Sequence, residues 1–176
     1  MSKTKIEIGK TVKVAGEEFI VLDKFEKGIL CLSKDLVYKN TMFDNNSNNY
    51  ANSSIRKKLN AEYLKKLAGV IGEENILETE IDLTSDDGLD DYGKITDKIG
   101  LLTADMYRKY NRIIEKHPVN DWWWLSTSWS TLHRGVHFSV RCVSGNGTLG
   151  NSNCDCVYGV RPFCIFSTSI FESYRS

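Results

Sequence analysis

Apolar residues alternate with polar ones at the start of the chain. Ile6, Ile8, Val12 and Val14 precede a break at Ala15-Gly16, and Phe19 and Val21 follow it, a pattern that predicts a β-hairpin. After Lys27-Gly28 the pattern changes to the continuous run Ile29-Leu30-Cys31-Leu32-Ser33, expected of a strand covered on both faces; Cys31 reads there as a small buried hydrophobe. Residues 40–52 are rich in asparagine and serine and predict a long exposed loop, or else a secondary contact surface. Ser53 or Ser54 then caps a helix whose Ile55, Leu59, Leu64 and Leu67 form one stripe. On that helix Arg56, Lys57, Lys58, Lys65 and Lys66 are expected in water, and Gly69 and Gly72 end it. Ile76, Ile81 and Leu83 mark a short extended segment, and Ile99-Gly100-Leu101-Leu102 another. Thr103 caps a second helix from Ala104 to about Lys116, with Met106, Tyr110, Ile113 and Ile114 inward and His117-Pro118 as its stop.

Two apolar segments frame the last third. Trp122-Trp123-Trp124-Leu125 alternates faces on a strand, which puts at least two indoles in the core. Gly159 to Phe166 reads as one further strand with Val160, Phe163 and Ile165 inward, and Arg161, set among core residues before Pro162, as a buried, hydrogen-bonded structural arginine. The elements together predict an α+β domain spanning 1–176, with mixed and antiparallel strands, two helices and long loops.

Composition narrows the function. A chain of 176 residues with 41% hydrophobic residues builds one sizeable core. Lys+Arg and Asp+Glu are equal at 23 each, so no global field recruits nucleic acid or an anionic membrane, and neither is an expected partner. No apolar run approaches the roughly 18 residues of a membrane span, and Met1-Ser2-Lys3-Thr4-Lys5 does not open a signal peptide. A cytoplasmic or virion-associated location is the expectation. Five cysteines without C-x2-C spacing predict reduced thiols. The acidic stretch Asp82, Thr84, Asp86, Asp87, Asp90, Asp91 has Asp87 where a calcium loop of the EF-hand type needs glycine, and reads as a solvated loop. No cofactor is expected.

Four blocks in order carry a resemblance: Asn52-Ser53-Ser54-Ile55-Arg56 with Leu59-Asn60; Asp97-Lys98-Ile99 with Leu101-Leu102-Thr103; Trp122-Trp123-Trp124-Leu125-Ser126; and Gly159-Val160-Arg161-Pro162. Together they span essentially the whole chain. In these the chain resembles a bacterial and phage domain family of unassigned function, grouped with the C-type-lectin-like, formylglycine-generating-enzyme-like fold. It also resembles the variable proteins of diversity-generating retroelements, in which adenine-directed mutagenesis rewrites the segment between the Trp-Trp-Leu and Gly-Val-Arg-Pro blocks. The resemblance implies a C-type-lectin-like fold and a hypervariable binding segment at 130–158, with Trp122, Trp123, Trp124, Gly159, Arg161 and Pro162 as fixed structure.

Asparagine codons rewritten at their adenines end in C and never specify Lys, Glu, Gln, Met or Trp. Residues 1–129 hold 16 lysines and 10 glutamates, a density that predicts about six in the 29 residues from Ser130 to Tyr158. That segment holds none, although the gap also runs on to Phe171. A glycine-rich loop that avoids long helix-forming residues is the other reading. Trp129 cannot come from such a codon and is expected as a fixed anchor; Cys142, Cys154 and Cys156 then read as products of mutation.

The function expected is recognition of a protein or cell-surface macromolecule, without catalysis. Leu132, His133, Arg134, His137, Asn146, Thr148, Asn151, Asn153, Asp155 and Tyr158 are the candidate contact residues. Ser139 and Arg141 join them by alternating outward, while Phe138, Val140 and Val143 hold the strand down. Two rivals stand beside this. One, implied by the resemblance, is a formylglycine-generating-enzyme-like metal oxidase that uses a copper-bound cysteine pair, with Cys154 and Cys156 as thiols that would face one way on a strand; the other, a fixed-specificity carbohydrate-binding domain, would need calcium carboxylates where Asp155 is the only acid between Trp129 and Phe171.

Overall fold

The computed structural model describes residues 6–172; Met1 to Lys5 and the last four positions of the 1–176 span lie outside the described residues. The chain begins with the hairpin of β1 (Thr11–Val14) and β2 (Glu17–Lys24). Val14 pairs with Glu17 across a two-residue turn in which Ala15 and Gly16 both have positive φ, 52° and 82°, the backbone that matches strand twist. Ile8 lies before the strand and is 51% exposed, so the alternation starts later than its first isoleucines. Then come β3 (Gly28–Ser33) and β4 (Tyr38–Met42). Every residue of β3 is buried, as its unbroken apolar run predicts.

The first helical region is α1 (Ser54–Lys58), a π-helical segment Leu59–Tyr63, and α2 (Leu64–Ile71). Ser53 caps it, its Oγ accepting from Arg56 N. Ile55, Leu59, Tyr63 and Leu67 are buried while Leu64 is half-buried; Gly72, at φ 83°, ends the helix and Gly69 lies within it. There follow β5 (Ile76–Leu77), β6 (Thr79–Asp82), β7 (Lys94–Asp97), β8 (Gly100–Leu101) and α3 (Ala104–Ile114). Thr103 caps α3 through Met106 N, and the buried face is Ala104, Tyr107, Tyr110 and Ile114, with Met106 and Ile113 half-buried.

The remaining elements are β9 (Trp123–Ser128), β10 (Ser139–Val143), β11 (Leu149–Asn153), β12 (Val157–Val160), β13 (Pro162–Ser167) and the one-turn α4 (Ser169–Glu172). A six-stranded sheet runs β1-β2-β3-β13-β5, with β8 also on β13; a five-stranded sheet runs β11-β10-β9-β12-β4; β6 and β7 form a pair. All pairings are antiparallel except β12 on β9. The architecture is α+β with mostly antiparallel sheets, two principal helical regions and one buried apolar cluster reaching both large sheets.

Two expectations are corrected. Residues 40–52 are not an exposed loop: β4 enters them, Phe43 and Tyr50 are in the core, and Asn48 is fully buried. The stretch 159–166 is two strands, because β12 belongs to the second sheet and β13 to the first, with Arg161 at the crossing.

The four sequence blocks meet in pairs. Arg56 does not stay in water: its Nε and Nη2 donate to Asp97 Oδ2 and Oδ1, both at 2.8 Å, and Asn60 Nδ2 donates to Ile99 O at 2.9 Å. In the other pair, Arg161 is 1% exposed and stacks its guanidinium 5.3 Å from the Trp123 ring. It donates from Nε to Ser33 O and from Nη2 to Lys34 O and His117 O, joining the first sheet to the end of α3. Gly159 leaves room for Leu36: a Cβ there would stand 2.5 Å from Leu36 Cδ1, so a larger residue requires that side chain to move.

Candidate ligand-binding surface

The segment 130–158 folds as loop, hairpin and turn on the open side of the second sheet. Its loop, 129–138, is held by residues from outside it, mainly through backbone atoms. Asn48 Nδ2 donates to the carbonyls of Ser130, Val136 and Ser139 at 2.9, 3.1 and 2.9 Å, and Asn48 N donates to His137 O at 2.7 Å. Tyr92 OH donates to Asn48 Oδ1 and accepts from Leu132 N. A buried amide left without these acceptors would be costly, so the contacts fix the loop's path.

The acidic stretch is also not a free solvated loop. Ser130 Oγ and Arg134 Nη1 donate to Asp87 Oδ2, and Thr131 Oγ1 to Asp91 Oδ1, each at 2.8 Å; Asp86 N donates to Ser128 O. Hydrogen bonds from Ser85 and Ser130 hold the Asp87 carboxyl below its ordinary range, outweighing the smaller effect of burial, and Arg134 adds to the lowering. The sequence-level signal for this role was present only as composition: acids in one loop, hydroxyl residues and an arginine in the other.

On the hairpin, Ser139 stands opposite Asn153 and Arg141 opposite Asn151, so these four share a face. Arg141 was expected to point outward as a contact residue and is buried, 9% exposed. Its guanidinium lies 5.1 Å from the Trp129 ring and its Nε 3.7 Å from Asp86 Oδ1, with no hydrogen-bond partner for Nε among the described residues. Alternation chose the right face, but Trp129 and the 86–91 loop cover it. Trp129 itself is 42% exposed, Leu132 62% and Phe138 45%; Phe138, expected to hold the strand down, instead lies beside the His137 ring, while Val140 and Val143 are buried.

The expected contact residues do not form one surface. Leu132, His133, Arg134, Asn153 and Asp155 are exposed at the loop end of the hairpin, with His137 and Ser139 half-buried. Asn146 and Thr148 are exposed in the turn at its other end, about 14 Å away along a five-residue strand. Tyr158 lies on the reverse face, stacked on Trp122 at 5.5 Å and donating to Ser152 Oγ. Trp122 is partly exposed while Trp123 and Trp124 are core.

All five cysteines are free thiols. Cys154 and Cys156 lie in the turn after β11 and not on a strand; Cys154 is buried and Cys156 half-buried. Burial pushes the Cys31 thiol up to about 12 and the Cys142 thiol up to about 11, and raises Cys154 and Cys164. Among the described residues no three His, Cys, Asp or Glu side chains converge as a ligand set, and no helix is long and apolar enough to cross a membrane. Comparison with protein-family models, curated proteins and solved structures returned no match.

Proposed function

We propose that this chain is a C-type-lectin-like ligand-binding module that presents the exposed side chains of 130–158, beside the fixed Trp129, to a protein or cell-surface macromolecule, performs no catalysis, and has the segment 130–158 diversified by a retroelement. The observation that carries the reading is how the loop is held. Asn48, Tyr92 and Asp44 grip the backbone of residues 130–139 and 154, and such contacts persist whatever side chains the loop bears. A rigid frame around side chains free to vary is the arrangement that recognition loops use.

The exposed set has suitable chemistry. Trp129 and Leu132 supply apolar area, Arg134 charge, His133 hydrogen bonding, and Asn151 and Asn153 adaptable amides. The α+β arrangement of antiparallel sheets and two principal helical regions also supports the C-type-lectin-like part of the reading.

The gene's nucleotide sequence tests diversification. Codons ending in C at Leu132, His133, Arg134, Asn151, Asn153 and Asp155, with an adenine-rich near-copy of the segment close by, are the expected result. Codons without that bias, or sister copies that vary equally in the core strands, would sink it.

A further inference from the structure

A second site lies at the opposite end of the hairpin from the loop 129–138 and does not rest on the function proposed above. It is a cavity of about 290 Å³ between the end of α3 and the turn 144–148. Trp123, Val143 and Ile114 give it an apolar floor, and Arg161 closes its base; all four are buried. Pro118 and Thr148 are exposed at its rim, so the space is reached from solvent. The volume is close to the lower end of small-molecule sites, roughly 300 Å³.

Arg161 is unusual among this chain's cations. Its Nε and Nη2 are spent on three carbonyls, but Nη1 has no hydrogen-bond partner, and no carboxylate lies within 4.0 Å of the guanidinium, among the described residues. Burial lowers its pKa to about 10, with Asp35 and Tyr107 acting the other way. It therefore remains charged at neutral pH, a buried cation whose hydrogen bonds all go to carbonyl dipoles and whose nearest opposing charge, Asp35, acts on it without an ion pair. Such a charge is stabilised strongly by an anion that reaches it. Tyr107 OH is already committed, donating to Gly147 O at 2.6 Å, and Glu115 at the rim is ion-paired with Arg112.

We infer that this cavity binds a small organic carboxylate, its oxygens on Arg161 Nη1 and its apolar body against Trp123 and Val143. One buried cation calls for one negative charge, and the apolar floor of Trp123, Val143 and Ile114 calls for a hydrocarbon body, which inorganic phosphate lacks.

Benzoate is the probe, with benzyl alcohol as its uncharged counterpart and inorganic phosphate as the competing anion. Titration is followed by tryptophan fluorescence and by calorimetry on the full chain. Benzoate is expected to bind saturably in the millimolar range, benzyl alcohol and phosphate at least about tenfold more weakly, a loss of about 1.4 kcal/mol. Val119→Trp fills the lining without touching the hydrogen bonds of Arg161 and is expected to abolish benzoate binding while the far-ultraviolet circular dichroism is unchanged. Arg161→Gln, where it folds, is expected to bind benzoate no better than benzyl alcohol. Absence of saturable benzoate binding, equal binding of the alcohol, preference for phosphate, or undiminished binding by the folded Val119→Trp protein would each overturn the assignment.

Discussion

The two large sheets are built on different terms. In the first, β2, β3 and β13 bury consecutive residues on both faces, and Phe19 meets Phe166 edge to face at 5.0 Å in its core. In the second, the outer strands β10 and β11 bury Val140, Cys142 and Val143 but leave Asn151 and Asn153 in water, and the loop before them is held by polar side chains acting on carbonyls. Apolar packing depends on each side chain's shape; a backbone grip does not. The difference separates a region held by the packing of its side chains from one whose path is held largely through its backbone carbonyls.

Truncating the packed part should have the largest effect. Trp124 is fully buried against Phe43 and Tyr158, with Nε1 donating to Thr41 O at 2.8 Å, and Phe166 is fully buried against Phe19. Trp124→Ala and Phe166→Ala are each expected to lower stability by about 3–5 kcal/mol in urea unfolding. Losses near those of surface sites would erase the contrast at its strong end.

The grip itself comes next. Asn48→Ala leaves the carbonyls of Ser130, Val136 and Ser139 without their shared donor. The expected cost is about 2 kcal/mol, with faster amide hydrogen exchange confined to residues 130–139. Exchange that rises equally in β2 and β3 would show that the loop is not a separately held unit.

Much of the packed region was legible in the sequence because it rests on local patterns. The β3 run, the Ala15-Gly16 turn, and the Ser53 and Thr103 caps each announce themselves within a few residues. The grip was not legible, because Asn48 sits in a run of asparagines and serines that on propensity belongs in water. Only its 82- to 91-residue reach to Ser130, Val136 and Ser139 draws it inward. Arg56 with Asp97, and Asp87 with Arg134, likewise need distant partners to tell a structural charge from a solvated one. For Arg141, period-2 alternation gave the correct face, but nothing local revealed that Trp129 and Asp86 cover it.

Acid probes the grip's ionic half. Asp87 has its folded pKa depressed, chiefly by hydrogen bonds from Ser85 and Ser130. Its contribution is therefore present above the unfolded value, about 3.9, and is lost as pH falls through the lower folded value. Loop 130–134 should stay docked from neutral pH to about pH 5 and loosen below about pH 4. Trp129 emission should report this, and Asp87→Asn should flatten that acid limb. A transition centred near pH 6 would implicate a histidine instead.

The smallest stability effect is expected where the binding effect is largest. Leu132, Asn151 and Asn153 are exposed, and none of their side chains makes a hydrogen bond or ion pair among the described residues. Leu132→Ala, Asn151→Ala and Asn153→Ala should each change unfolding free energy by no more than about 0.5 kcal/mol. Truncating Trp129 should cost more, because its ring lies against the Arg141 guanidinium, and a buried cation loses cover. If the three exposed positions prove as costly as Asn48→Ala, they hold the fold together and the freedom inferred for them does not exist. If they are silent in unfolding but change the set of macromolecules the protein captures, the division between gripped backbone and displayed side chains is functional as well as structural.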